Sequence, residues 1–238
     1  MSAVKFLNSS TETTQRIRLK RALGWFVLSA LALCFGFILA ARHYPGGFDW
    51  VYTVISALAS QKHNPQGSAW FAAGFGLSMA LLWPYVSSLK KNLCTFLPAS
   101  AEVAIAILRL GLICGVILGV ERLVIHDLSA WVYKAHELLG LLAFLGFYFG
   151  LLGLLILVML RQRIYVLPVL LVASPLVAIG ITQLWLYLDQ RDLGWVDISW
   201  REMGVPLWLS FAFWQWLAIV FLGLGLLLLS FTNLKDNK

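Results

Sequence analysis

Apolar residues in this chain neither alternate nor recur at a helical interval; they run on without a break. Six stretches, 22–41, 68–89, 103–125, 135–160, 166–188 and 206–231, each reach the ~20 apolar residues that a helix needs to cross the ~30 Å hydrocarbon layer. A helix satisfies its own backbone hydrogen bonds inside lipid, so each stretch predicts a transmembrane helix. The expected fold is all-α, an integral membrane bundle of six transmembrane helices occupying 22–231. A basic segment, 1–21, precedes it and a short tail, 232–238, follows.

The polar segments between the stretches give a direction. Lys5, Arg16, Arg18, Lys20 and Arg21 precede the first stretch, Lys90 and Lys91 follow the second, Arg161 and Arg163 the fourth, and Lys235 and Lys238 the sixth. The alternate loops mix Arg42, Lys62, Lys134, Arg191 and Arg201 with Asp49, Asp127, Asp189, Asp192, Asp197 and Glu202. By the positive-inside rule both termini are cytoplasmic, with the second set of loops outside. A basic segment before an apolar run also suits a secretory signal, but 22–41 is longer than a signal core and Ala40-Ala41 is a weak cleavage pattern. It reads as a retained anchor in a bacterial-type cytoplasmic (inner) membrane.

One polar stretch has a period of its own. Over 49–62, at 100° per residue, Asp49, Ser56, Ser60 and His63 fall on one side and Val51, Val54 and Leu58 on the other. This predicts a short amphipathic helix lying in the outer interface, too short to span. The turn Asn64-Pro65-Gln66-Gly67 then leads into the second span.

Composition agrees with the pattern and removes alternatives. Hydrophobic residues make up 61 % of the 238 and charged residues 12 %, where a soluble domain carries about 25 % charged. The mean hydropathy is +0.83. A water-soluble globule would have to expose too much apolar surface. The net charge of +7 suits basic loops against anionic lipid, and no basic patch joined to a soluble domain points to nucleic acid. Membrane lipids are the expected partners. Three cysteines, Cys34, Cys94 and Cys114, make no closed disulfide set and no CxxC spacing.

Small residues four apart allow close helix approach in lipid. Gly111, Gly115 and Gly119 in the third span, Gly146 and Gly150 with Gly153 following in the fourth, and Ala72, Gly76 and Ala80 in the second mark these three as the tight core, or as faces for a homo-oligomer. Of eleven tryptophans, Trp50, Trp70, Trp131, Trp185, Trp195, Trp200 and Trp208 fall near outer ends of spans. They read as an aromatic belt or as the rim of an amphiphile pocket. Trp214, Gln215 and Trp216 are expected about 12–15 Å into a sixth span that starts at 206.

Polar chemistry gathers on the outer side. His43, His63, His126 and His136 all lie there. The short second outer loop, His126-Asp127-Leu128-Ser129, should bring Glu121, Arg122, His126, Asp127, His136 and Glu137 together, in or near spans where charge is costly and is paired or functional. Three arrangements are compatible with that set. His126, Asp127 and His136 could hold a divalent metal that activates water, with His63 as a further ligand. Arg122 and the histidines could hold a lipid phosphate. Or the group is an internal network in which Arg122 neutralises Glu121 or Glu137. In the first outer loop, Ser60 and His63 three apart have the spacing of a nucleophile and its base. Two facing axial histidines for a haem are hard to assemble, because only His136 sits clearly inside a span. Arg109, in the cytoplasmic half of the third span, reads as snorkelling to headgroups. Asp192, Asp197, Arg201 and Glu202 in the last outer loop read as a solvated segment or a lid.

With those residues in view, the chain resembles a prokaryotic family of six-span membrane proteins, the domain of unknown function 998, itself similar to the DRAM-type six-span proteins of eukaryotes. The likeness rests on Tyr52-Thr53-Val54-Ile55-Ser56-Ala57-Leu58-Ala59, then Asn64-Pro65 and Phe71-Ala72-Ala73-Gly74. It also rests on Asp127 in a short outer loop and on His136 in Ala135-His136-Glu137-Leu138. Ala59 stands where the family pattern has glycine. The resemblance implies a six-helix fold with Ser56, Asp127 and His136 gathered at the outer face, and it supplies no reaction. Its lipid-handling relatives point to a lipid or amphiphile as ligand. The expected function is therefore binding or handling of such a ligand at an outer polar site, with Ser60, His63, Glu121, Arg122, His126 and Glu137 as contacts. The alternative is a membrane-embedded hydrolase or transferase using Ser56, Asp127 and His136 on a lipid-linked substrate.

Overall fold

The computed structural model describes residues 2–93, 98–125, 130–189 and 210–232. Every regular element among them is helical: α1 (Ser2–Arg42), α2 (Ser68–Leu93), α3 (Pro98–Val124), α4 (Ala130–Arg161), α5 (Val166–Asp189) and α6 (Phe211–Phe231), with single 3-10 turns at Ile55–Ala59 and Arg163–Tyr165. Six segments are long and apolar enough to cross a membrane: Leu19–Arg42, Ser68–Lys91, Ala99–Val124, Leu138–Arg161, Arg163–Leu186 and Phe211–Phe231. The chain is a multi-pass, all-helical integral membrane protein. The hydropathy boundaries hold to within a few residues except at the last span. There Ser210 caps α6, its Oγ accepting the Phe213 N–H at 3.3 Å, so the helix begins at Phe211. Trp214, Gln215 and Trp216 consequently lie in its first two turns, about 5–8 Å along the axis, not at the depth a start at 206 implied.

The helices form a row, α1 on α2, α2 on α3 and α3 on α4. The α5–α6 pair meets α4, and α6 returns to α1. Small residues make the row tight, because lipid offers no hydrophobic drive between helices and close backbone approach must replace it. A Cβ at Gly119 would lie 2.7 Å from the Gly76 Cα, and one at Gly146 would lie 2.7 Å from the Gly111 backbone nitrogen. These are the α2–α3 and α3–α4 crossings expected from the glycine spacing, and both lie within one chain.

A third crossing went unread in the sequence. A Cβ at Gly74 would lie 2.6 Å from the Gly36 Cα, so α1 belongs to the tight core as well. Gly74 and Gly76 are two positions apart, about 200° round the helix. α2 thus presents one small face to α1 and the opposite one to α3. At the Lys90 end of the bundle, tyrosines tie α6 in. The Tyr85 hydroxyl donates to the Leu226 carbonyl and lies 3.0 Å from Ser230 Oγ, and the Tyr165 hydroxyl donates to the Phe231 carbonyl at 3.0 Å.

At the Glu121 end, the segment between α1 and α2 caps the bundle, and it is not the continuous helix expected over 49–62. Asp49 starts one helical turn, with Thr53 N–H donating to its carbonyl at 2.9 Å and Val51 N–H to Asp49 Oδ1 at 2.9 Å. Val54 is then extended (φ −62°, ψ 146°) and only the five-residue 3-10 turn Ile55–Ala59 follows. The physical reason lies in a bond that a helix continued past Val54 would need, from Ile55 N–H to the Val51 carbonyl. Both partners are taken by α6. Ile55 N–H donates to Gln215 Oε1 at 3.0 Å, and the Val51 carbonyl accepts from the Ser210 hydroxyl. The expected two-sided stripe is lost with the helix: Leu58 is fully buried and Val51 is exposed.

The same segment is held to α1 by Asn64, which is fully buried. Its Nδ2 donates to the carbonyls of Ala40 (3.0 Å) and Leu58 (3.2 Å), and its Oδ1 accepts the Gly67 N–H at 3.1 Å. A buried side chain so fully paired is costly to remove, because it leaves carbonyls and an N–H with no replacement. Asn64→Ala is expected to cost about 1–3 kcal/mol, read as a lowered thermal unfolding midpoint in detergent micelles. The exposed neighbour change Gln66→Ala should leave the midpoint unmoved.

Candidate functional site

The last turn of α3 and the second turn of α4 meet at the capped end, and three ionisable side chains meet there with them. Arg122 Nε lies 2.8 Å from His136 Nδ1, that nitrogen lies 3.1 Å from Glu121 Oε2, and Arg122 Nε lies 3.6 Å from the same carboxylate oxygen. The side chains are 5 % (Arg122), 11 % (Glu121) and 16 % (His136) exposed, so the cluster is largely out of reach of bulk water. Burial of this kind is tolerated because the Glu121 carboxylate and the Arg122 guanidinium cancel each other's charge.

The ring nitrogen has two incompatible demands on it. To accept from Arg122 Nε–H, Nδ1 must carry a lone pair; to donate to Glu121 it must carry the proton. A single proton therefore decides which neighbour His136 serves. Glu121 Oε1, the other carboxylate oxygen, is buried with no hydrogen-bond partner among the described residues.

A fourth residue of the site gave no signal in the sequence. Gln61, in the capping segment, donates through Nε2 to the carbonyls of Arg122 (3.3 Å) and Ile125 (3.1 Å). These are end-of-helix carbonyls that lack an intrahelical donor. Gln61 thus closes α3 and fastens the cap beside the ion cluster.

Of the other expected site residues, Ser56 is exposed on the 3-10 turn and has no hydrogen bond to the cluster. Ser60 and His63 do meet, but through the His63 backbone N–H on Ser60 Oγ at 3.3 Å, as a turn and not as a base on a nucleophile. The His63 residue is exposed. His43 is not in the cluster either; its Nδ1 bonds to the Leu39 carbonyl at 2.8 Å at the end of α1. His126, Asp127 and the last outer loop with Asp192, Asp197, Arg201 and Glu202 lie outside the described residues, as does the side chain of Glu137. Among the described residues no three His, Cys, Asp or Glu side chains are grouped to hold a metal.

Two further features adjoin the capped end. Glu121 lines a shallow apolar groove of about 350 Å³ on α3, together with Val116, Ile117, Val120, Val124 and Ile125. Val120 and Val124 are 53 % and 71 % exposed, so the groove faces lipid. On the other helices, aromatic rings touch in succession from Tyr44 through Phe48, Trp50, Trp216 and Phe37 to Phe71, with centroids 4.9–5.3 Å apart. These rings pack on one another over α1, α2 and α6, whereas the ion cluster belongs to α3 and α4. Comparison of the chain with protein-family models, with curated proteins and with solved structures finds no match.

Proposed function

We propose that this protein binds a lipid or lipid-like amphiphile at the capped end of α3, its polar head toward Glu121–Arg122–His136 and its tail along the apolar groove. The observation that carries the reading is the position of Glu121. The same residue belongs to a buried ionic cluster and to the wall of a groove that opens to the acyl region. Head and tail of an amphiphile need that juxtaposition, and small-ligand sites commonly combine apolar walls with a few convergent polar groups. Because Arg122 is already neutralised by Glu121 and engaged with His136, the cluster is not a bare anion trap. Glu121 Oε1 favours a head that carries an N–H or O–H donor.

Native mass spectrometry of the protein extracted in mild detergent tests this. At least one lipid-sized added mass is expected in the parent protein, and one fewer in Val120→Trp, which fills the groove from an exposed position without touching the cluster. Equal added mass in both, or a bare polypeptide in the parent, overturns the reading. A metal-sized increment lost in His136→Ala would favour the hydrolase or transferase alternative instead.

A further inference from the structure

Arg109 sits eleven residues into α3, about 16 Å along its axis from Pro98, in the membrane-spanning part of the helix. A guanidinium at such a position is costly and is ordinarily held by an acid, by carbonyls or by water. Among the described residues Arg109 has no carboxylate partner, since the ion pairs there are Lys90–Glu102 and those of the Glu121 cluster. It reaches across to α2 instead. Its Nη2 donates to Ser87 Oγ at 3.1 Å, and its Cζ stands 5.1 Å above the Trp83 ring. The Ser87 hydroxyl proton is committed to the Trp83 carbonyl at 2.9 Å, which leaves its oxygen as the acceptor. Arg109 Nε is buried and has no hydrogen-bond partner among the described residues. The charge is thus eased by a ring face and one hydroxyl, and no negative charge among the described residues meets it.

Trp83 has a second role. With Ala80, Pro84, Ile113, Val116 and Ile117 it lines an open apolar groove of about 390 Å³ between α2 and α3. Pro84, which lies inside α2, has no N–H to donate to the Ala80 carbonyl and contributes its ring to the groove wall. Ile113 is four residues beyond Arg109 and Val116 seven, on the same face of α3. Ile113 and Ile117 are 44 % and 47 % exposed, so the groove is open to lipid.

The depth is also that of a headgroup junction. α2 is 26 residues long, about 39 Å, against a hydrocarbon layer of ~30 Å. Ser87 lies six residues, about 9 Å, from the helix end, which puts it a few ångströms inside the apolar boundary. Lys90 and Lys91 stand one turn further out.

We propose that Arg109, Ser87 and Trp83 form a binding site for an anionic phospholipid of the leaflet at the Lys90 end. A phosphate oxygen sits against the Arg109 guanidinium and one acyl chain occupies the Trp83–Ile113 groove. An unmatched cation, an orphan N–H and a lipid-facing apolar groove converge on one side chain, and an anionic amphiphile answers all three. Arg109 stands twelve residues before Glu121, about 18 Å along α3; the two grooves adjoin at Val116 and Ile117, but the preference for an anionic head is carried by Arg109 and does not depend on the function proposed above.

The test is native mass spectrometry of the full chain released from micelles doped with phosphatidylglycerol or with phosphatidylcholine of the same chains. Retention of phosphatidylglycerol is expected to exceed that of phosphatidylcholine by about fivefold, the factor that one basic residue near the membrane surface gives. Arg109→Gln should bring the ratio to unity. Ile113→Trp, a change at a position 44 % exposed, should lower retention of both lipids while Arg109 stays in place. An unchanged ratio in Arg109→Gln, unchanged retention in Ile113→Trp, or no preference in the parent protein overturns the proposal. All of these measurements are made in the Val120→Trp background, because a lipid held at the Glu121 site, which favours a donor-bearing head such as glycerol, would otherwise enter the ratio.

Discussion

Gly74→Leu is expected to leave the helices formed and α1 detached from α2, with a large fall in thermal midpoint. Even a methyl at Gly74 would lie 2.6 Å from the Gly36 Cα and 2.8 Å from the Ala32 carbonyl oxygen. Both obstacles are backbone, so no side-chain rotation relieves them and the helices must move apart. Overpacking a core costs about 1–3 kcal/mol where side chains can adjust, and more where they cannot. Separation also breaks the buried hydroxyl contact one turn along, where Ser29 Oγ donates to the Ser78 carbonyl at 3.0 Å and lies 2.8 Å from Ser78 Oγ. An interhelical bond of this kind contributes about 0.6 kcal/mol in membrane proteins. Gly24→Leu is the control, because a Cβ there meets nothing within 4 Å. Unfolding followed in detergent micelles should show a large drop for Gly74→Leu and none for Gly24→Leu. Equal midpoints would mean that the α1–α2 crossing contributes nothing to stability.

Arg122→Leu should destabilise the protein by about 3–5 kcal/mol, the usual result of removing one partner from a buried ion pair. The change leaves the Glu121 carboxylate, 11 % exposed, without the guanidinium 3.6 Å away. It also frees His136 Nδ1 from its Arg122 contact at 2.8 Å. Removing the carboxylate at the same time should recover much of the loss, so the double variant Glu121→Leu with Arg122→Leu is expected to be more stable than Arg122→Leu alone. A double-mutant cycle measures the difference. Strictly additive costs would show that Glu121 and Arg122 do not act as a unit.

The six spans were legible because hydropathy reports the one thing that lipid demands, an uninterrupted apolar length. Glu121, Arg122 and His136 were legible for a related reason: charge inside a span stands out against its surroundings, and a short α3–α4 connection must bring the flanking residues close. Gln61, Asn64, Ser210 and Gln215 were not legible in the same way. Each acts through a backbone group elsewhere in the chain, and a carbonyl or N–H carries no trace in the sequence of which residue it bonds. The helix expected over 49–62 failed on that account, since its stripe was real but two of its backbone groups were claimed by α6. The Gly36–Gly74 crossing is a different case. Ala32, Gly36 and Ala40 repeat at spacing four in the first span just as Gly111, Gly115 and Gly119 do in the third. The signal was present and weaker only because alanine replaces two of the three glycines. Ser60 and His63 show the converse, a spacing that suits catalysis and serves a turn.

The bonds that split the capping segment also impose an order on biogenesis. Ile55 and Gln215 are 160 positions apart, and Val51 and Ser210 are 159 apart. At about 5–20 residues per second, a ribosome needs on the order of ten to thirty seconds to supply the partners after the segment itself has emerged. During that interval the four helices of the row can dock in turn, each against its predecessor, while the segment waits with water on its unpaired groups. A chain that stalls before α6 is therefore open at one end however well its earlier helices have packed. Quality control that senses exposed backbone at the membrane surface would find its substrate there.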